Sequence, residues 1–206
     1  LRIAAPPTTV SDLVAPFIAT FGAGDPFPAV RPESARGAYE ALAHGAADVA
    51  VSPDPPPAGH ASALVATFPI WLYVPADHGW AHRESVGLGE LADAPLLVLP
   101  ETYTQRQLLD QASAAAGIVL SGARETSSPE VAQALAAAGW GAALVSDDSR
   151  FGLRGLRVAT TSGDLSLRLH AAWDRDHHGA AEIGRIVARL REFCRDRYGS
   201  GATVLT

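Results

Sequence analysis

The sequence predicts an α/β protein in which two successive sets of strands and helices are followed by one more strand and a long helix. Apolar runs of strand length alternate with longer stretches in which apolar residues recur every three or four positions, a pattern typical of parallel strands covered by helices. The same order of elements then occurs again in the second half of the chain. We therefore expect two lobes, with the chain crossing between them twice.

The first set of elements opens with a strand and a helix. Apolar residues along one face predict this helix over 10–21, and Thr9 is its expected N-cap. Ser34 can cap a second helix, which Gly45 ends. Segment 53–59 is rich in proline, which cannot donate a backbone hydrogen bond, so it is expected to be a loop. The strands of this set are predicted at 1–5, 29–31, 48–52, 64–67 and 70–74.

The second set shows the same alternation. A helix is predicted over 105–116, and Gly117 stops it. Pro129 fits the first position of another helix, which reaches Ala138. A long helix with one apolar face follows the last strand, and the tail from Gly199 is expected to be disordered. The strands are predicted at 96–99, 123–126, 142–146 and 165–173.

Composition excludes several classes of function. The chain has no lysine and a formal net charge of -6, which opposes duplex DNA binding by these residues alone, because such binding neutralises phosphates with clustered cations. Without lysine there is no Schiff-base or P-loop chemistry. The sequence has one cysteine, no membrane span and no secretory signal. We expect a soluble cytoplasmic protein that makes no membrane contact and, because it begins inside a strand, is a fragment or processed chain.

Five segments carry a family resemblance, and they lie at 1–9, 41–51, 73–78, 86–92 and 128–145. Together they resemble, in the same order, the effector-binding domain of LysR-type transcriptional regulators. The stretch Ala137–Leu144, which reads Ala-Ala-Gly-Trp-Gly-Ala-Ala-Leu, is the most specific match. Two residues depart from the family pattern, since Gly79 replaces a frequent proline and Trp140 is bulkier than the usual leucine or isoleucine. The resemblance covers nearly the whole chain.

The resemblance implies a type 2 periplasmic-binding-protein fold, with two Rossmann-like lobes and a ligand cleft between them. Lobe I would comprise 1–74 and 163–206, and lobe II would comprise 75–162. The resemblance also implies an N-terminal winged helix-turn-helix domain that is absent from this chain and that would make the contact with DNA. The chain itself would associate as a dimer or a tetramer, with the first helix packed against 129–138 of a partner chain.

Hydroxyl-bearing residues at the starts of helices are the candidate ligand residues. Backbone N–H groups and the helix dipole favour negative charge at such positions, and the family pattern turns them toward the cleft. For each residue, ordinary N-capping is an equally simple role. The candidates are Thr8, Thr9, Ser34, Thr102, Ser127 and Ser128.

A second group of candidates, Pro100, Glu101, Tyr103 and Arg106, lies around the loop after a buried strand. Tyr103 could stack on a ligand or hydrogen-bond to it, and Arg106 could bind a carboxylate through two hydrogen bonds. A small organic or aromatic acid is therefore one effector class. Glu101 instead favours a cationic or hydroxylated ligand, and a solvated loop with a surface arginine is the other alternative.

Three features resemble catalytic or metal sites without completing one. His78 and His82 have the spacing of helical metal ligands, but Gly79 argues against a helix there. Cys194 is expected to pack as a small apolar residue. Residues 146–149 include serine and aspartate but have no histidine partner for a triad. We expect that the protein is not an enzyme and that it binds neither a cofactor nor a metal. The alternative is that it is an extracytoplasmic solute-binding protein of the same fold.

Overall fold

The structure of the chain is a computed structural model that describes residues 1–199 and contains two compact units. Unit 1 comprises Leu1–Phe68 and the segment that begins at Arg168, and unit 2 comprises Pro69–Leu167. The division falls at Pro69 and not after residue 74, because the strand at 71–74 pairs inside the second sheet. Residues 200–206, which hold most of the tail expected to be disordered, lie outside the described residues.

The strands and helices follow the predicted alternation. The helical segments are α1 (Pro7–Thr9), α2 (Ala15–Ile18), α3 (Ala35–Ala43), α4 (Thr104–Ala115), α5 (Pro129–Ala137) and α6 (Ala180–Tyr198). The strands are β1 (Arg2–Ala5), β2 (Ala29–Pro32), β3 (Val49–Ser52), β4 (Ala61–Pro69), β5 (Trp71–Val74), β6 (Ser85–Gly87), β7 (Leu96–Val98), β8 (Ala123–Glu125), β9 (Ala142–Val145), β10 (Arg154–Thr160), β11 (Gly163–Asp164) and β12 (Ser166–Trp173).

Unit 1 is built on a sheet with strand order β2-β1-β3-β12-β4. β1 runs parallel to β2 and β3, and β12 runs antiparallel to β3. Side chains alternate between the two faces of a strand, so Ile3 and Ala5 pack in the cluster that holds α2 and α6, whereas Ala4 packs against α3. Both faces of the sheet are therefore covered by helices.

The first helix, residues 7–18, differs from the prediction in how it begins. α1 starts at Pro7 with Pro6 as N-cap, so the prediction of Thr9 as the N-cap was wrong. Proline is favoured in the first helical turn because its missing N–H has no helical partner there. A π-helical turn, Val10–Val14, joins α1 to α2, and Leu13, Val14 and Phe17 are buried against the sheet.

Unit 2 is built on a sheet with the order β11-β10-β5-β9-β7-β8, and β6 pairs with β10. β7 runs parallel to β8 and β9, whereas β5 runs antiparallel to β9 and β10. One face packs with α4 and the other with α5. The strands β6, β10 and β11 were not predicted from the sequence. In β10 only Leu156 and Val158 are fully buried among arginine, glycine and small residues, so its apolar signal is weak.

Acid is expected to destabilise the fold through Glu90. Arg83 donates to both carboxylate oxygens at 2.7 and 2.8 Å, and the Gly87 N–H donates at 2.9 Å. These hydrogen bonds, with Arg83 the larger cause, lower the pKa of Glu90 from 4.5 to about 2. The ionised carboxylate therefore stabilises the folded state fully above the unfolded pKa, and this contribution is lost as the pH falls through the folded value.

The measurement is urea unfolding of the wild type and of Glu90→Gln across the pH range between those two pKa values. We expect the free energy of unfolding of the wild type to fall more steeply with acid than that of Glu90→Gln. Equal slopes for the two proteins would contradict the assignment.

Candidate functional site

Three parallel strands of unit 1 end at the same edge of its sheet. β1, β2 and β3 are in parallel register, with Ala5 beside Pro32 and Ala4 beside Ala50. Their carboxyl ends lead into 6–9, 33–34 and 53–54, which we call the unit 1 edge. In α/β sheets, ligands bind outside the carboxyl ends of the strands. Thr8, Thr9 and Ser34 thus come together at the edge where a ligand is expected.

The hydroxyl groups at the unit 1 edge differ in whether they have a hydrogen-bond partner. The Ser34 hydroxyl oxygen accepts a hydrogen bond from the Gly37 N–H at 2.9 Å, so the predicted N-cap role of Ser34 is confirmed. The hydroxyls of Thr8 and Thr9 have no partner among residues 1–199, although the Thr8 carbonyl accepts from Ser11. The two threonines therefore offer donors and acceptors that the described part of the chain does not use.

The segment after β3 is a part of this edge that was not predicted from the sequence. Ser52 is fully buried, and its hydroxyl donates to the Ala35 carbonyl at 2.9 Å and accepts from the Asp54 N–H at 3.2 Å. The Tyr39 hydroxyl donates to the Asp54 carbonyl at 2.9 Å, and burial raises the pKa of Tyr39 to about 12. This network fixes the loop to α3. A serine ending an apolar strand was the signal available in the sequence.

Unit 2 has a corresponding edge, formed where the parallel strands β7, β8 and β9 end. The segments that follow them are 100–103, 126–128 and 146–148, which we call the unit 2 edge. Ser128 caps α5 by accepting from the Val131 N–H at 3.3 Å. The hydroxyls of Thr102, Tyr103 and Ser127 have no partner among the described residues. The candidates Pro100, Glu101, Thr102, Tyr103, Ser127 and Ser128 thus lie at one edge of one sheet.

Arg106 is tied to groups of unit 2. Its Nε donates to both carboxylate oxygens of Asp110 at 3.0 and 2.9 Å, and its Nη1 donates to the Leu99 carbonyl at 3.0 Å. Glu125 lies 3.7 Å from the guanidinium and Glu101 lies 3.9 Å from it. Arg106 thus joins α4 to the end of β7 and is surrounded by carboxylates. Its role as a ligand carboxylate partner stays a prediction, and a ligand bound through two hydrogen bonds would have to displace either Asp110 or the Leu99 carbonyl.

The loop after β9 is a part of the unit 2 edge that was not predicted from the sequence. Gln133 on α5 is fully buried, and its Nε2 donates to the Asp148 carbonyl at 3.0 Å. Its Oε1 accepts from the Arg150 N–H at 2.7 Å, and the Tyr73 hydroxyl donates to the Asp147 carbonyl at 2.8 Å. The loop is therefore anchored from α5 and β5. A glutamine at an inward-facing helical position was the available signal.

The histidine pair does not form a helical metal site. His78 and His82 lie in a run of turns, and Nδ1 of His78 accepts from the Trp80 N–H at 3.1 Å. No group of three or more metal-ligating side chains is found among residues 1–199. Within the same residues, no helix is long and apolar enough to cross a membrane.

The thiol of Cys194 is expected to be unreactive in the folded protein. The residue has no exposed surface in the core of unit 1, and burial raises the pKa of Cys194 to about 12. Reaction with a thiol reagent needs an accessible thiolate. Labelling with Ellman's reagent should proceed only at the rate of unfolding and should become complete in guanidinium. The variant Ser162→Cys, which places a thiol on an exposed turn, is the fast-reacting control, and equally fast labelling of the native wild type would contradict the prediction.

The family model and the similar solved structures point to the same family. The LysR substrate binding domain model matches residues 1–197, and no curated protein matches. An OxyR mutant from Corynebacterium glutamicum is 19% identical, with a TM-score of 0.82 over 99% of this chain and 68% of that chain. The BenM effector binding domain with its effector benzoate is 18% identical, with a TM-score of 0.81 over 99% and 95%. The Synechocystis PCC6803 CcmR regulatory domain in complex with 2-PG is 14% identical, with a TM-score of 0.75 over 94% and 96%.

Proposed function

The chain belongs to the LysR substrate-binding domain family, and from this we propose that it binds a small-molecule effector through the unit 1 and unit 2 edges. The type 2 periplasmic-binding-protein fold predicted from the sequence is confirmed by the similar solved domains. The family match favours a regulator over an extracytoplasmic solute-binding protein. In this proposal the chain is a cytoplasmic, non-catalytic domain. It controls DNA binding by an N-terminal winged helix-turn-helix domain.

The observation that carries the proposal is the gathering of hydroxyl groups at the carboxyl ends of parallel strands in both units. Thr8 and Thr9 in unit 1, and Thr102 and Ser127 in unit 2, have hydroxyls without partners among residues 1–199. A ligand can be bound by such groups together with the N–H groups of the adjacent helix starts. The effector is expected to gain hydrogen bonds from each unit and thereby to stabilise one arrangement of them.

A small organic acid is the first effector class to test. The structures of the similar domains carry benzoate in BenM and 2-PG in CcmR, and helix starts favour an anion. A hydroxylated or cationic effector is the second class. It is favoured by Glu101, whose side chain is 82% exposed at the unit 2 edge, and by the carboxylates that surround Arg106.

Self-association is proposed to use the two exposed parallel edge strands, β2 in unit 1 and β8 in unit 2. Unpaired edge strands are templates for pairing with another chain. A large exposed apolar residue precedes each of them, Phe27 before β2 and Val119 before β8. We propose a dimer in which the first helix and β2 of one copy contact the β8 side of the other. The contact of the first helix with 129–138 of a partner chain stays the alternative prediction.

The test is a thermal-shift panel of small organic and aromatic acids, polyols and amines. A ligand at about 100 times its dissociation constant is expected to add roughly 2.7 kcal/mol to the free energy of unfolding. The variants Thr8→Val and Ser127→Ala each remove one hydroxyl from a different unit, and each should weaken binding of a hit by about tenfold. Thr20→Val, outside both edges, is the matched control.

Loss of affinity in both edge variants, with the control unchanged, would support the proposal. An unchanged response in both Thr8→Val and Ser127→Ala would contradict it.

A further inference from the structure

Unit 2 contains a cavity of about 670 Å³ between α4, the turn after β6 and the hairpin of β10 and β11. Its lining residues lie within 87–89, 108–118 and 159–166, and we call it the α4 cavity. Pockets that bind small molecules have volumes in this range. The described lining does not include any of the proposed effector residues. The α4 cavity is therefore a separate candidate for ligand binding.

One part of the lining is apolar. Leu88 and Leu165 are buried in the core of unit 2, and Leu108 and Ile118 pack against the same core with partly exposed side chains. Removing apolar ligand surface from water against such side chains is a main source of affinity in small-molecule pockets. This part of the lining favours a ligand with an apolar body.

The cavity is open because several of its lining residues are small. α4 contributes Ala112, Ala115 and Ala116, and the turn after β6 contributes Gly87 and Gly89. Core and pocket space responds to a change of even a few methylene groups. A longer side chain at an alanine of α4 would therefore fill the cavity, which provides a direct test of ligand binding there.

The hairpin wall is fixed by its own hydrogen bonds. The Thr160 hydroxyl donates to the Gly163 carbonyl at 2.7 Å and accepts from the Ser162 N–H at 3.2 Å. The Leu165 N–H donates to the Val158 carbonyl at 2.8 Å. A preformed wall lowers the entropy cost of binding, because few groups have to be ordered when a ligand enters.

Polar side chains line another part of the cavity. Gln111 on α4, Thr161 and Ser162 in the hairpin, and Ser166 at the start of β12 have side chains without a hydrogen-bond partner among residues 1–199. Their amide and hydroxyl groups can both donate and accept hydrogen bonds. A few such groups in a mainly apolar pocket fix the orientation of a ligand.

Electrostatics at the cavity favours a cation. Asp164 is the one ionisable residue among the described lining residues. Its Oδ2 lies 3.4 Å from Nη1 of Arg157, and its Oδ1 accepts no hydrogen bond from residues 1–199. The chain as a whole carries a formal net charge of -6, which attracts cations and repels anions. An ammonium group can bind Oδ1 without displacing Arg157.

We propose that the α4 cavity binds a small organic amine with an apolar body. The ammonium group pairs with Asp164, the apolar body lies against Leu88, Leu108 and Ile118, and a further polar group of the ligand binds Gln111. The proposal goes beyond effector binding at the two edges and does not rest on it. It assigns a ligand of opposite charge to this cavity, since a small organic acid is the first effector class to test at the edges.

The test is an NMR titration of the ¹⁵N-labelled chain with 2-phenylethylamine, which is protonated at neutral pH. The matched anion is 3-phenylpropanoate, which has a similar apolar body. The amine should bind with a dissociation constant of roughly 1 mM, as expected for a ligand of so few atoms. Its largest amide shifts should fall in 108–118 and 159–166. The anion should bind at least about tenfold more weakly, because it is repelled by Asp164.

Two variants test the two parts of the cavity. Ala112→Leu fills the space beside α4 and should weaken amine binding at least about tenfold. Ala114→Leu, on the same helix but outside the lining, is its matched control. Asp164→Asn removes the charge and should weaken binding by about fivefold, as for a solvent-exposed ion pair. Asp77→Asn, an exposed aspartate outside the lining, makes the same change in net charge and should have no effect.

Weaker amine binding in Ala112→Leu and Asp164→Asn, with both controls unchanged, would support the proposal. Equal binding of the amine and the anion, no saturation by the amine below about 10 mM, or an affinity that Ala112→Leu leaves unchanged would overturn it. Thr8→Val and Ser127→Ala separate this site from the edges. They should leave amine binding unchanged, and a loss of amine binding in these edge variants would also overturn the proposal.

Discussion

Replacing Gly141 by alanine is expected to lower the free energy of unfolding by about 3 kcal/mol, because strain and overlap act together. Gly141 has φ of +153°, and a Cβ there would lie 2.4 Å from the Pro95 carbonyl oxygen and 3.0 Å from its carbon. Both atoms belong to backbone, and the same oxygen accepts from the Ala142 N–H at 2.8 Å. Relief would require moving the start of β9 away from the loop before β7.

Gly139→Ala is the matched control for this prediction. Gly139 also has positive φ, +80°, but nothing lies within 4 Å of its added Cβ. Backbone strain alone should cost about 1 kcal/mol. Urea unfolding of the two variants separates strain from overlap, and equal losses of stability would show that the Pro95 contact is not the cause.

Gln133→Leu is expected to cost about 2–3 kcal/mol, because it keeps the volume of the side chain and removes both hydrogen bonds to the loop after β9. The Asp148 carbonyl and the Arg150 N–H would lose their glutamine partners beside a fully buried side chain. Amide hydrogen exchange should increase across 146–153, which includes a part of the unit 2 edge. Binding of an effector hit should weaken in parallel.

Gln107→Leu provides the comparison for Gln133. Gln107 also donates from Nε2 to a loop carbonyl, that of Glu101 at 2.8 Å, but it is exposed to solvent. Water can replace this hydrogen bond, so the substitution should change stability by less than about 0.5 kcal/mol. A cost for Gln133→Leu no larger than that of Gln107→Leu would contradict the anchoring role of the buried glutamine.

The sequence predicted the parts of the fold that local chemistry decides. Ser34 begins α3, Gly45 follows its end, and Pro129 begins α5. These ends could be predicted because capping and proline geometry depend on few neighbouring residues. Most strand positions were found from apolar runs, and the parallel order then placed Thr8 and Thr102 at strand ends. These features require no knowledge of long-range contacts.

Features that depend on distant partners could not be predicted in this way. β5 belongs to the second sheet because it pairs with β9 and β10, which lie far along the sequence. The importance of Gln133 depends on the loop that folds against it, and the ion pairs of Arg106 depend on Glu125 and Asp110 meeting it in space. In the local sequence pattern, Gln133 and Arg106 cannot be distinguished from ordinary polar residues.

Amide hydrogen exchange with and without a thermal-shift hit tests the central claim most directly. Effector binding through the two edges predicts slower exchange at Thr8 and Thr9 in unit 1 and at Thr102 and Ser127 in unit 2. Protection limited to a single unit, or found only away from the strand ends, would contradict the claim.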